Sequence, residues 1–117
     1  MSMMMKERLV EATEEDTIRS KALTGKPARQ LRNRFNMLWE DAKNPSTLPM
    51  PMQGIWTAEL QAGIRENEMV EWMGTPLGQM VGNITGIKPC AEIVFDMVSE
   101  AMDILEKVGS EAEPSLA

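Results

Sequence analysis

The stretch PCAEIVFDMVSEAMDILEKV, residues 89–108, decides the fold class. Within it Ile93, Val94, Met97, Val98, Ala101, Ile104, Leu105 and Val108 recur at spacings of three and four, which is the period of one helix face. Pro89 suits the first turn and Gly109 marks an expected end, so the spacing predicts a helix over 89–108. The residues beyond, 109–117, read as an acidic, disordered tail.

Working back from that helix, the same period recurs. Ile55, Trp56, Leu60 and Ile64 predict a helix over 52–66 with those residues as its buried side. Leu31, Phe35, Leu38, Trp39 and Ala42 predict another over 28–43, with Arg29, Arg32 and Arg34 on its polar face. Met4, Met5, Leu9 and Val10 predict a short one over 3–12. Three prolines in Asn44–Pro51 make that segment an irregular connection, since each removes a donor and restricts the residue before it. Thr24-Gly25-Lys26-Pro27 is turn chemistry. Around β-branched Thr17 and Ile18 at most one short strand is expected. A helix over 75–84 would bring Gly74, Gly78 and Gly82 near one face. The chain therefore reads as mainly α over 1–117.

Composition narrows the chemistry. The chain has 117 residues, with 12 Lys and Arg against 18 Asp and Glu, a net charge of −6. It contains no His and no Tyr, which removes the usual general base and the commonest metal ligand. A Ser-His-Asp or Cys-His mechanism cannot be assembled from these residues alone, so no catalytic residue is assigned. The single Cys90 forms no internal disulfide and, with no His beside it, no zinc site; no metal site is expected. Cysteine usage fits a reducing cytoplasm, and the run Met3-Met4-Met5 passes at once into charges, unlike a secretory signal. No stretch approaches the roughly 20 apolar residues of a membrane span.

Residues 17–43 hold seven Lys and Arg against two acids, whereas 44–117 hold three against eleven. The basic segment could meet phosphates, but the acidic total and the lack of a recognisable nucleic-acid motif favour a solvated helix face pairing with nearby acids, with contact with an anionic cofactor or an acyl-carrier partner as a third option. No nucleic-acid partner is expected. The glycines match neither a phosphate loop nor a dinucleotide fingerprint. They fit close helix packing or close approach of a ligand to the backbone, with the Gln79 amide beside it. The 12 methionines read mainly as core filling.

Several of these segments carry a family resemblance. The run Lys6-Glu7-Arg8-Leu9-Val10-Glu11-Ala12 with Asp16-Thr17, then Ala22-Leu23-Thr24-Gly25-Lys26-Pro27-Ala28-Arg29-Gln30-Leu31-Arg32-Asn33, resembles the C-terminal third of the nitronate monooxygenases, formerly the 2-nitropropane dioxygenases. Gly78-Gln79-Met80-Val81-Gly82 and Ala91 to Ala101 continue the resemblance in order. The flavin-type enoyl-acyl-carrier-protein reductases share a related pattern. A small non-catalytic helical interaction protein is the reading that composition alone favours.

The resemblance implies that residues 1–117 are a single incomplete domain, the C-terminal fragment of an FMN-dependent (β/α)8 TIM-barrel enzyme with its helical addition. Such an enzyme oxidises alkyl nitronates with dioxygen, and its histidine base and phosphate-binding loops precede the region matched here. By the same resemblance Gly78, Gln79 and Gly82 line the flavin mouth, and Arg29 and Arg32 pack the segment onto the barrel. The expected partner is the missing N-terminal barrel portion, and FMN is not expected to bind this chain tightly on its own.

Overall fold

A computed structural model describes residues 1–112. It divides into two compact units, Met1–Gly86 and Ile87–Ala117. Among the described residues the structure is mainly helical, with one two-stranded sheet.

In the first unit, helix α1 spans Met3–Glu11 and opens on Ser2, whose hydroxyl accepts from the Met5 amide. A 3₁₀ turn over Glu14–Asp16 leads into strand β1, Thr17–Ser20, which pairs antiparallel with β2, Ala28–Leu31. The register places Thr17 opposite Leu31 and Ser20 opposite Ala28. Between the strands Gly25 sits at φ +88°, and a Cβ there would lie 2.5 Å from both the Leu48 carbonyl oxygen and the Met50 amide nitrogen. Left-handed backbone against a second loop leaves room for glycine alone. The turn expected over residues 24–27 is therefore also the seat of the proline-rich connection.

Two expected helices fail between residues 28 and 84. The helix expected over 28–43 is instead strand β2 followed by a shorter helix α2, Arg34–Glu40. The cause is long-range pairing. On the side away from β1, the Leu31 amide donates to the Thr75 carbonyl and the Leu77 amide donates to the Arg29 carbonyl, so β2 has extended partners on both flanks. The helix begins only after Asn33, whose side chain accepts from the Asn36 amide while the Asn36 side chain accepts from the Asn33 amide, a reciprocal cap. The helix expected over 75–84 is likewise absent. Thr75 to Leu77 is committed to β2, and only a 3₁₀ turn over Gln79–Asn83 follows, so Gly74, Gly78 and Gly82 do not share a helix face. The one short strand expected near Thr17 is present as β1, and the second strand, β2, falls where a helix is expected.

Helix α3 occupies Met52–Glu66, the bounds that the hydrophobic period predicts, but its orientation is reversed. Its buried residues are Gln53, Thr57, Gln61 and Ile64, whereas Ile55, Trp56 and Leu60 are 65%, 67% and 57% exposed. Only Ile64 of the expected buried side is inside. Two of the three buried polar residues, Gln53 and Thr57, find partners, whereas Gln61 Nε2 is buried without one. Gln53 donates through Nε2 to the Ala22 carbonyl at 2.9 Å and accepts through Oε1 from the Leu48 amide at 3.0 Å, and Thr57 donates to the Gln53 carbonyl. Hydrogen bonding makes such burial tolerable.

The apolar core of this unit is small. Met5, Ala12, Leu31 and Val81 form it, with Leu9, Val70, Met73 and Leu77 packed against it.

The second unit is dominated by helix α4, Cys90–Ala112, which contains no buried residue. It begins as expected and outruns its expected end: Gly109 lies inside it, where a Cβ would meet nothing within 4 Å, and Ser110 bonds back to the Lys107 carbonyl. Residues 109–112 are thus helical rather than disordered, and the remainder of the expected tail lies outside the described residues. Among the described residues no helix is long and apolar enough to cross a membrane.

Candidate functional site

The reversal of α3 leaves an apolar concavity on the first unit. Leu38 and Trp39 of α2 face Trp56, Leu60 and Ile64 of α3, and Met69 and Trp72 close one end of a groove of about 820 Å³. Phe35 and Trp39 meet edge to face at 6.4 Å between ring centroids, and Trp39 meets Trp56 at 5.9 Å in the same manner. Such pairs favour perpendicular rings because each edge is positive and each face negative. All three tryptophans of the chain line this groove. Its polar members are few: Asn44, Thr57, Glu59 and Asn67.

A second, polar cleft of about 310 Å³ lies between α1 and β2, lined by Arg8, Glu11, Asp16 and Arg32. Arg8 donates to the Arg32 carbonyl at 2.9 Å and to the Val70 carbonyl, so its guanidinium ties α1 to β2 and to the segment after α3. The Asp16 carboxylate accepts from the Thr13 amide at 2.7 Å and from the Thr13 hydroxyl at 3.1 Å. Those bonds, the amide first, hold its pKa below the ordinary carboxylate value, and the guanidinium groups of Arg32 and Arg8 push in the same direction. With two cations and two carboxylates the cleft is balanced, which suits a structural clamp more than capture of an anion.

The site residues expected from sequence lie elsewhere. Gly78, Gln79 and Gly82 are exposed, on and beside the 3₁₀ turn. A Cβ at Gly78 would meet only the Met80 amide nitrogen at 3.9 Å, and one at Gly82 only Glu14 and Thr13 backbone at 3.8 and 3.9 Å, all ordinary contacts. No crowding within the chain requires glycine at either place. Nor do these residues form a cradle for FMN: the buried polar atoms without partners, Gln30 Oε1 and Gln61 Nε2, belong to β2 and α3.

Arg29 is engaged within the chain, donating to the Thr17 hydroxyl at 2.8 Å, while Arg32 is exposed beside the polar cleft. Cys90 is exposed at the opening of α4. Among the described residues no group of three or more His, Cys, Asp or Glu could hold a metal ion.

The features that the sequence reading missed are the tryptophan groove and the glutamine seam beneath it. Both share one legible signal: Gln53, Thr57, Gln61 and Ile64 recur at helical spacing, a second stripe opposite the aromatic one.

The chain is 34% identical, over 108 aligned residues, to a Mycobacterium tuberculosis protein named "Putative monooxygenase Rv1533". The alignment covers 85% of this chain and 28% of that protein, so the chain spans little more than a quarter of the relative's length. No family model and no solved structure matches the chain. The likeness to a protein named as a monooxygenase thus extends over most of this chain.

Proposed function

We propose that this chain is the C-terminal part of an FMN-dependent nitronate monooxygenase-like oxidoreductase, one that oxidises alkyl nitronates with dioxygen. The observation that carries the reading is the 34% identity across 85% of the chain to a relative named as a monooxygenase, of which the aligned region is only 28%. In this reading the histidine base and the phosphate-binding loops come from the N-terminal barrel portion, since the chain contains no histidine. One property of the chain supports the reading. Helix α4 carries an apolar stripe along its length with no residue buried, the condition of a helix made to be covered by further structure. Gln79, exposed between Gly78 and Gly82, is in this reading presented to the flavin mouth of the whole protein.

The experiment uses the full-length oxidoreductase carrying this region. We expect a bound flavin, nitronate turnover with dioxygen consumption, and in Gln79→Ala an altered kcat/KM or flavin spectrum with the melting temperature unchanged. Absence of flavin and of nitronate turnover removes the reading. Turnover of an enoyl thioester in place of a nitronate transfers it to the flavin-type enoyl reductases, and unchanged kinetics in Gln79→Ala removes that residue from the mouth.

A further inference from the structure

We propose that the tryptophan face of α3 is a self-association surface, through which two copies of this chain form a two-fold dimer. Met52, Ile55, Trp56 and Leu60 stand out from α3 with 52–67% of their surface exposed, and Leu38 and Met69 beside them are 50% and 45% exposed. On side chains of roughly 200 Å² each this amounts, with the part-exposed edges of Trp39 and Trp72, to on the order of 800 Å². That is about the area each partner contributes to a specific interface of standard size, and well above the scattered apolar exposure of ordinary surfaces.

Charge selects the occupant. The chain exposes two large apolar surfaces, and they differ in what surrounds them. Helix α4 bears six carboxylates, Glu92, Asp96, Glu100, Asp103, Glu106 and Glu111, against Lys107, so a second copy laid along it meets like charge. The groove beside α3 is lined by a single ionisable side chain, Glu59. Arg34 at the start of α2 is already paired with Glu71 at 3.1 Å. A nearly uncharged patch can face its own copy without repulsion, which is what an isologous contact demands.

Shape agrees. The face combines a ridge, the outward side of Trp56 and Leu60, with the groove of about 820 Å³ beside it. A two-fold axis places the ridge of each copy against the groove of the other. Trp56, held at one edge by Trp39 and otherwise exposed, has the character of a binding hot spot.

The inference is tested apart from the oxidoreductase reading, by mass and without flavin, and loss of the dimer when the N-terminal barrel portion is supplied to the chain overturns it. Sedimentation or light scattering of the full chain at tens of micromolar is expected to give twice the chain mass of 13.1 kDa. Tryptophan emission should shift to the blue as concentration rises. Trp56→Glu and Leu60→Arg, both at exposed positions and hence compatible with folding, should raise the dimer dissociation constant by at least about 30-fold with an unchanged circular dichroism spectrum. Ile104→Glu on α4 should leave the dimer intact. A monomer throughout that range overturns the proposal. So does a dimer that survives Trp56→Glu and is lost in Ile104→Glu, which would move the contact to α4. Stoichiometric uptake of a long-chain fatty acid by a monomer would make the groove a small-ligand site and overturn it as well.

Discussion

Replacing Gln53 by Leu tests the reversed orientation of α3 directly. In a helix whose hydrophobic side faces inward the change would be harmless or stabilising, since it adds apolar surface to a position on the opposite face. Here Gln53 is fully buried and holds two segments: its Nε2 donates to the Ala22 carbonyl and its Oε1 accepts from the Leu48 amide. Ala22 has no exposure, so its carbonyl would lose its partner with no water to replace it, a cost of about 1–3 kcal/mol. Leu48 is 39% exposed, and its amide loses only the net value of one hydrogen bond, about 1 kcal/mol. The expected destabilisation is therefore about 2–4 kcal/mol. Ile55→Gln, on the face that the structure leaves outside, should stay within about 0.5 kcal/mol. Urea unfolding followed by circular dichroism on dilute chain measures both. A neutral Gln53→Leu beside an Ile55→Gln that costs more than about 2 kcal/mol would refute the orientation.

Two further outcomes follow from local geometry. Gly25→Ala should lower the melting temperature markedly, because the left-handed backbone alone costs about 1–3 kcal/mol and the new Cβ would collide with the backbone at Leu48 and Met50. At Asp16 the folded pKa is lowered, so the stability it contributes is present above the unfolded carboxylate range, near pH 4, and is lost as pH falls through the lower folded value. Wild type should accordingly be more stable than Asp16→Asn at pH 7, and the difference should shrink towards zero in acid-unfolding curves near pH 2.

How far the sequence discloses this structure depends on whether a residue's state is set locally. The bounds of α1, α3 and the start of α4 are legible because their periods and breakers are local. Gly25 is legible for the same reason: turn chemistry points to it, although not to the loop it must admit. Ala28 to Leu31 is not, because the spacing of Leu31, Phe35 and Leu38 runs without a break from strand into helix, and what makes the first part extended is pairing with residues 17–20 and 75–77. The Asn33 and Asn36 pair was the available sign that the helix starts later. The inward face of α3 is illegible to a hydrophobicity rule, since Gln53 and Thr57 are buried by virtue of hydrogen bonds whose other ends lie up to 31 residues away. For the candidate site, the glycines were visible as residues, but their placement on a helix depended on a segment that β2 had already recruited.

That recruited segment has a consequence for how the chain behaves among other proteins. Thr75 and Leu77 spend their inward groups on β2, and the residue between them, opposite Gln30, is Pro76. Its backbone nitrogen faces away from β2 and carries no hydrogen to donate. An extended stranger approaching along that border would find the next rung of the ladder missing, so growth of the sheet in that direction stops at the proline. The small sheet thus carries its own terminator against edge-to-edge aggregation on the side nearest the glycine segment.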